Sequence, residues 1–103
     1  MMAVQWSEQA ERGWKEVAQY ILRDFGLRGL NQFTQRIKEN EKFISQFPKA
    51  CEVAWREPET GVEFRRCPIY GRSIMLYFVQ GDTIIIADFW DVRNNRTSQG
   101  AKK

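Results

Sequence analysis

Arginine side chains in the last third of the chain are the residues best suited to recognition or catalysis. Arg65 and Arg66 form a pair, Arg72 follows them closely, and Arg93 lies near the end of the sequence. A guanidinium binds carboxylates and phosphates through a planar fork of donors. The chain contains no histidine, the side chain whose ordinary pKa lies near neutrality. The pattern therefore indicates a surface that binds anions or an acidic partner, and it argues against histidine-based chemistry.

The sequence around these arginines predicts an antiparallel meander. Three β-rich segments are separated by two short connections that contain glycine, and they cover residues 64–69, 72–79 and 83–93. Glycine in such connections supplies the positive φ that tight turns require. Because neighbouring strands of a meander lie side by side, we expect Arg72, Arg93 and one of the paired arginines to lie on or beside one sheet face.

The middle segment of the meander is apolar on both faces. Alternation gives one face Arg72, Ile74, Leu76 and Phe78, and it gives the other Ser73, Met75, Tyr77 and Val79. A strand with two apolar faces is covered on both sides, whereas the helices of a two-layer domain cover only one. We therefore expect one of these rows to contact another molecule, with nearby arginines pairing with its acidic groups.

The first half of the chain has the periodicity of helices. A short strand at residues 3–6 precedes Ser7, which suits a helix N-cap. Apolar residues then recur at a spacing of three or four in two stripes: Ala10, Trp14, Val17, Ala18, Ile21, Leu22 and Phe25, and then Leu30, Phe33, Ile37, Ile44 and Phe47. Gly26 is placed to end the first helix, and Phe47-Pro48 to end the second. The sequence thus predicts an α+β domain in the order β-α-α-β-β-β, with a two-helix hairpin packed on the meander.

Both periodicities fail between the helices and the meander. We expect residues 48–61 to form a loop that packs on the domain through Val53 and Trp55. Residues 97–103 have no apolar anchor, so they are expected to form a flexible tail. The remaining residues 1–96 then form a single domain, and a chain of 103 residues is long enough to fold unaided.

Composition fits a protein of the reducing cytoplasm. The net charge of +3 is mildly basic, which suits nucleic acid or an acidic protein without distinguishing them. The sequence shows no signal peptide and no apolar run approaching the roughly 18 residues of a membrane span. Cys51 and Cys67 are expected to be ordinary core or loop cysteines, with a single disulfide as the less favoured alternative. No cofactor or metal is expected.

Several short motifs occur in a characteristic order from about residue 3 to residue 96. They are VQWSEQA at 4–10, YI at 20–21, ISQFP at 44–48, FRRCPI at 64–69, IMLY at 74–77 and DVRN at 91–94. In this order they resemble the RelE/ParE family of toxins from bacterial type II toxin–antitoxin systems, which include plasmid stabilisation proteins. The resemblance implies a cytoplasmic growth inhibitor that a cognate antitoxin holds inactive by wrapping its sheet and helices. The residues expected to contact that partner are Arg65, Arg66, Met75, Tyr77, Val79 and Arg93.

The resemblance leaves three activities open. RelE-like members are ribosome-dependent mRNA endonucleases, a chemistry that needs cations for the scissile phosphate and a base for the 2′-hydroxyl. The catalytic candidates for that reaction are Arg65, Arg72, Arg93 and Glu63. The base is doubtful, since the chain has no histidine and no tyrosine follows Trp90, which leaves Glu63 as the proton acceptor. Ile74 also replaces an arginine of those members, for which Arg72 could substitute. ParE-like members poison DNA gyrase and have no catalytic signature, so the missing base slightly favours that function. A degenerate member that only binds its partner is the third alternative.

Overall fold

The computed structural model describes residues 1–91, which form a five-stranded sheet with a long helix against one face. The elements are β1 (Ala3–Trp6), α1 (Glu8–Gln46), β2 (Glu52–Arg56), β3 (Glu63–Pro68), β4 (Ser73–Gln80) and β5 (Thr83–Asp91). The strands lie in the order β1-β5-β4-β3-β2, with β1 parallel to β5 and the other neighbours antiparallel. The predicted α+β class is confirmed. Residues 92–103, which include Arg93 and the predicted tail at 97–103, lie outside the described residues.

The helix α1 is one kinked element, so the predicted hairpin of two separate helices is not confirmed. Its N-terminus is capped by Ser7, whose side chain accepts a hydrogen bond of 3.0 Å from the Ala10 N–H. Gly26 has non-helical backbone angles (φ 71°, ψ −168°), and the helix continues directly after it. The sequence thus indicated the residue at which the helical geometry breaks, but the element continues as one kinked helix.

The kink bends α1 back on itself. A straight helix of its 39 residues would be about 58 Å long, whereas the longest dimension of the protein is 38 Å. Trp14 from the first arm and Ile37 from the second line one cleft together with Trp6 of β1, so the two arms lie side by side. Within residues 1–91, no helix has both the length and the apolar character needed to cross a membrane.

The hydrophobic core lies between α1 and one face of the sheet, which we call the inner face. Its buried members are Ala10, Val17, Ala18, Ile21, Phe33, Ile37, Ile44, Cys67, Ile69, Met75, Tyr77, Ile84, Ile86 and Phe89. Most of both predicted helix stripes is therefore buried, whereas Leu22, Phe25 and Phe47 remain exposed. Burial of each large apolar side chain contributes about 1.5–3 kcal/mol, so the core fixes α1 against the sheet.

Residues 52–56 form the edge strand β2, so the prediction of a loop was wrong. The strand pairs with β3 and carries a bulge between Val53 and Trp55. All five of its residues are exposed, which removes the alternation of buried and exposed positions by which a strand is recognised. The bulge places Trp55 directly opposite Phe64. Val53 and Trp55, expected to pack on the domain, are each 40% exposed.

Cys51 and Cys67 form a disulfide bond, so the expectation of two ordinary cysteines was wrong. Their Cα atoms are 5.6 Å apart, and the bond joins the residue before β2 to β3. The two positions are separated by 16 residues in the sequence. The pairing of β2 with β3 brings the two cysteines together. Because residues 48–61 were expected to form a loop, the sequence gave no reason to expect this strand pairing.

Replacement of Gly26 by alanine should destabilise the fold. An added Cβ would meet no atom within 4 Å, but the backbone of Gly26 lies in a region that other residues hardly enter, at a cost of about 1–3 kcal/mol. We expect the free energy of unfolding, measured by urea denaturation, to fall by that amount. Gln19→Ala, at an exposed position of the same helix, should change it by less than about 0.5 kcal/mol. Equal values for both variants would show that the kink does not require glycine.

Candidate functional site

The face of the sheet opposite α1, which we call the outer face, carries aromatic residues from several strands. Trp55 of β2 stacks on Phe64 of β3 with ring centroids 4.8 Å apart, and it also stacks on Trp90 of β5 at 6.0 Å. Phe64 contacts Phe78 of β4 at 5.1 Å. We call these four residues the aromatic cluster. It spans β2 to β5 and forms a continuous apolar surface.

Leu76 shows that the central strand β4 is buried on both faces. Its neighbours in the sequence, Met75 and Tyr77, are buried against α1. Leu76 points to the outer face by alternation, yet it is only 1% exposed. β4 is therefore covered at this residue on its outer face as well as on its inner face.

A bulge in the pairing of β4 with β5 sets which residues of β5 face outward. Leu76 pairs with Asp88 and Tyr77 with Ile86, so the register shifts by one residue between them. The shift places Trp90 on the outer face, opposite Ile74. The Trp90 indole N–H donates a hydrogen bond of 2.8 Å to the Asp88 carboxylate, which fixes the orientation of the ring.

Charged side chains border the aromatic cluster. Arg66 lies on the outer face and forms an ion pair of 2.7 Å with Glu52. Both side chains are more than half exposed, so an approaching acidic group can compete for Arg66. Arg72 is exposed in the turn before β4. An apolar centre with a polar rim is the usual anatomy of a protein–protein interface.

Arg65 lies on the opposite side of the sheet and has a structural role. It faces Tyr77 across the β3–β4 pairing, and its side chain is 13% exposed. It donates hydrogen bonds to the carbonyl oxygens of Lys49 at 3.1 Å and Cys51 at 2.7 Å, and it pairs with Glu63 at 3.0 Å. The guanidinium therefore holds the connection between α1 and β2 against the sheet, and three of its hydrogen bonds go to groups of the protein itself.

Glu63 is poorly suited to act as a general base. Its carboxylate pairs with Arg56 and Arg65. The hydrogen bond from Arg56 is the main reason that the pKa of Glu63 lies below its ordinary value. A carboxylate with a lowered pKa is a weaker proton acceptor. Among residues 1–91, no group of three potential ligands is arranged to hold a metal ion.

Tyr77 is not available for proton transfer or for partner binding. Its hydroxyl donates a hydrogen bond of 2.7 Å to the carbonyl oxygen of Pro48, and burial raises its pKa. Like Met75, it is completely buried in the core, so the expectation that these two residues contact a partner was wrong. Alternation predicted the two rows of β4 but could not show which row faces the helix.

The described residues do not bring the predicted arginines together at one site. Arg65 and Arg66 project to opposite faces, as successive strand residues do. Arg66 lies opposite Leu76 of β4. Arg72 comes four residues before Leu76 in the sequence, a separation of about 13 Å along a strand, so Arg66 and Arg72 do not share one site. Val79 is 39% exposed but pairs with Ile84 of the inner face. Arg93 lies beyond the described residues.

Sequence reasoning missed the aromatic cluster as a site. The signal was present, because four aromatic residues fall within four segments that can form strands. Two of the four, however, depend on bulges for their position: Trp55 on the bulge in β2, and Trp90 on the bulge between β4 and β5. A bulge reverses the alternation beyond it, so counting along the sequence alone does not place these rings together.

Comparison with known proteins identifies the family. A family model described as the ParE toxin of type II toxin-antitoxin system, parDE, matches residues 4–96. The chain belongs to the ParE toxin family. The sequence-based assignment to the RelE/ParE toxins is therefore confirmed. A search of the curated proteins gives no match.

A solved structure shares the fold of this ParE-family toxin. One, described as the chromosomal ParDE TA system from P. aeruginosa, has a TM-score of 0.66 at 18% sequence identity, covering 86% of this chain and 94% of that chain. A solution structure of a conserved hypothetical protein from Helicobacter pylori has a TM-score of 0.42 at 16% identity, covering 86% of this chain and 92% of that chain. At such identities the likeness to the first structure shows the fold alone.

The two paired arginines of this ParE-family toxin should differ in their effect on stability. Arg65→Met leaves the carbonyls of Lys49 and Cys51 without their donor, so we expect the free energy of unfolding to fall by about 2–4 kcal/mol. Arg66→Met removes only an exposed ion pair, which is worth about 1 kcal/mol or less. Urea denaturation of both variants measures the difference. Similar losses would show that Arg65 does not anchor the connection between α1 and β2.

Proposed function

We propose that this ParE-family toxin inhibits growth by binding DNA gyrase, and that a cognate antitoxin neutralises it in the cytoplasm by covering the outer face of the sheet. The family described by the matching model, a toxin of a type II toxin–antitoxin system, supports the toxin and antitoxin roles. The choice of gyrase over mRNA rests on the arrangement of charged groups.

The observation that carries this choice is the separation of the cations from any suitable base. Cleavage at a phosphodiester requires a proton acceptor and cationic groups within reach of one phosphate. Among the described residues, Arg65 is occupied by backbone carbonyls, and Arg66 and Arg72 lie apart. Glu63 is held in its ionised form by two guanidiniums. This arrangement favours inhibition through binding over RNA cleavage.

The outer face supports the proposed antitoxin contact. Its aromatic cluster offers large apolar side chains, which dominate the free energy of many interfaces. Arg66 and Arg72 at the rim can attract acidic groups, which mainly raises the association rate. An amphipathic antitoxin segment with apolar anchors and acidic neighbours fits this surface. Met75 and Tyr77 are no longer part of the proposed contact, because they belong to the core.

Separate assays of supercoiling and translation test the proposed target. Purified toxin should inhibit DNA supercoiling by gyrase and leave translation in a cell-free extract unchanged, and added antitoxin should restore supercoiling. Complete inhibition should require a toxin concentration roughly equal to that of the gyrase complex, because an inhibitor that acts by binding does not turn over. As a control, toxin is unfolded and then refolded together with antitoxin. This sample should not inhibit supercoiling.

Each alternative outcome is distinct. mRNA cleavage on translating ribosomes with normal supercoiling would show a RelE-like endonuclease and contradict the proposal. Normal supercoiling together with normal translation would show a chain that retains the fold and has lost toxicity.

A further inference from the structure

The kink of α1 exposes apolar side chains at one end of the protein. Every residue from 22 to 28 is exposed, and three of them are large and apolar. Leu27 is 69% exposed, and Leu22 and Phe25 are each 43% exposed. We call these three residues the kink patch. Elsewhere α1 turns most of its apolar side chains into the core, and a group of exposed apolar residues often marks an interaction site.

The kink patch is held in place by the turn between β3 and β4. The ring of Phe25 packs edge-on against the ring of Tyr70, with centroids 5.5 Å apart. A Cβ added at Gly71 would lie 4.0 Å from the Phe25 ring, so the turn approaches the helix closely. A surface that is already ordered loses less conformational freedom when it binds. The patch is therefore prepared for contact with a partner.

Unpaired positive charges lie beside the kink patch. Arg28 follows it directly in the sequence, and Arg72 lies in the turn that contacts it. Both residues are exposed, and neither forms an ion pair within residues 1–91. Arg23, by contrast, already pairs with Asp24 at 3.3 Å. Two uncompensated guanidiniums favour a partner that presents carboxylates around the apolar contact.

The number of charges favours a protein partner over a lipid surface. Attachment to an anionic membrane typically uses clusters of roughly four to eight cations, whereas Arg28 and Arg72 are two. The apolar side chains of the patch instead have the size and chemistry of anchor residues, which fill pockets on a partner protein. The surface that fits the patch is thus an apolar pocket with acidic residues at its rim.

We propose that the kink patch is the surface through which this ParE-family toxin contacts gyrase, and that it fills an apolar pocket rimmed by carboxylates. This inference rests on the proposed function, in which gyrase is the target. It assigns the target and the antitoxin to different surfaces of the toxin, the kink patch and the outer face.

Arg72 connects the two surfaces. It belongs to the rim of the outer face and also to the turn that contacts Phe25. An antitoxin that covers the outer face as far as Arg72 obstructs a large partner at the kink patch. Neutralisation then follows from steric exclusion, so gyrase and antitoxin should not bind one toxin molecule at the same time.

Replacement of Leu27 by serine tests the apolar contact. Leu27→Ser should weaken binding to purified gyrase holoenzyme, measured by surface plasmon resonance, by roughly 10-fold or more, because it removes an anchor side chain. Its affinity for the cognate antitoxin should stay unchanged, which also shows that the variant is folded. Phe43→Ser is the matched control, since Phe43 is an exposed apolar residue at the other end of α1. It should change neither affinity.

Replacement of Arg28 by glutamine tests the charge. Arg28→Gln should slow association with gyrase several-fold at low salt and change dissociation little, because a charge at the rim of a contact acts mainly on the association rate. Lys42→Gln removes an exposed charge of the same sign near the other end of α1. It should leave the association rate unchanged.

The outcomes separate this inference from the proposed function. If wild-type toxin and Leu27→Ser bind gyrase equally well, the kink patch is not the contact and the proposed function stands. If wild-type toxin does not bind gyrase, both are overturned. Binding of the wild type, but not of Leu27→Ser, to phosphatidylglycerol vesicles, with equal binding of both to gyrase, would overturn the inference in favour of a lipid surface. A stable complex of toxin, antitoxin and gyrase would overturn steric exclusion.

Discussion

Met75 and Tyr77 pack against α1, while Leu76 between them is buried on the other face of the sheet. Enclosure of β4 on both faces determines much of the remaining structure. On the inner face it requires both arms of α1, so the helix must bend back at Gly26. On the outer face the aromatic cluster spans β2 to β5 and so extends across β4. The apolar surface expected to need a partner is thus largely covered by the chain itself, with Trp55 still 40% exposed above it.

This enclosure separates the arginines by function. Arg65 is on the inner side and binds the connection that leads into β2, whereas Arg66 and Arg72 lie at the rim of the outer face. The same alternation that buries Met75 and Tyr77 therefore prevents Arg65 and Arg66 from acting on one phosphate. In the described residues, the ParE-family toxin presents an aromatic surface with a charged rim, an anatomy typical of protein–protein interfaces. The disulfide adds a covalent tie at the weakest edge of that surface.

The sequence predicted the features that depend on local pattern. Periodicity gave the helical stripes, Ser7 gave the cap, and the glycines at 71 and 81 gave the turns of the meander, both with positive φ. The remaining features depend on contacts between distant segments. The edge strand β2 lacks a buried face, the disulfide follows from its pairing, and two bulges decide where Trp55 and Trp90 point. Gly13 is a further case. The sequence shows its low helix propensity, but it does not show that α1 lies so close to β5 here that a Cβ would be 2.9 Å from the Phe89 carbonyl oxygen.

Oxidative footprinting of tryptophan tests most directly whether the outer face is the antitoxin surface. The chain has four tryptophans: Trp55 and Trp90 belong to the outer face, whereas Trp6 and Trp14 line the cleft beside α1 and serve as internal controls. Side-chain oxidation is measured by mass spectrometry for the free toxin and for its complex with the cognate antitoxin. The structure predicts that the antitoxin protects Trp55 and Trp90 and leaves Trp6 and Trp14 as reactive as in the free toxin. Protection of Trp6 and Trp14, with Trp55 and Trp90 still fully reactive, would contradict it and place the partner on the helical side.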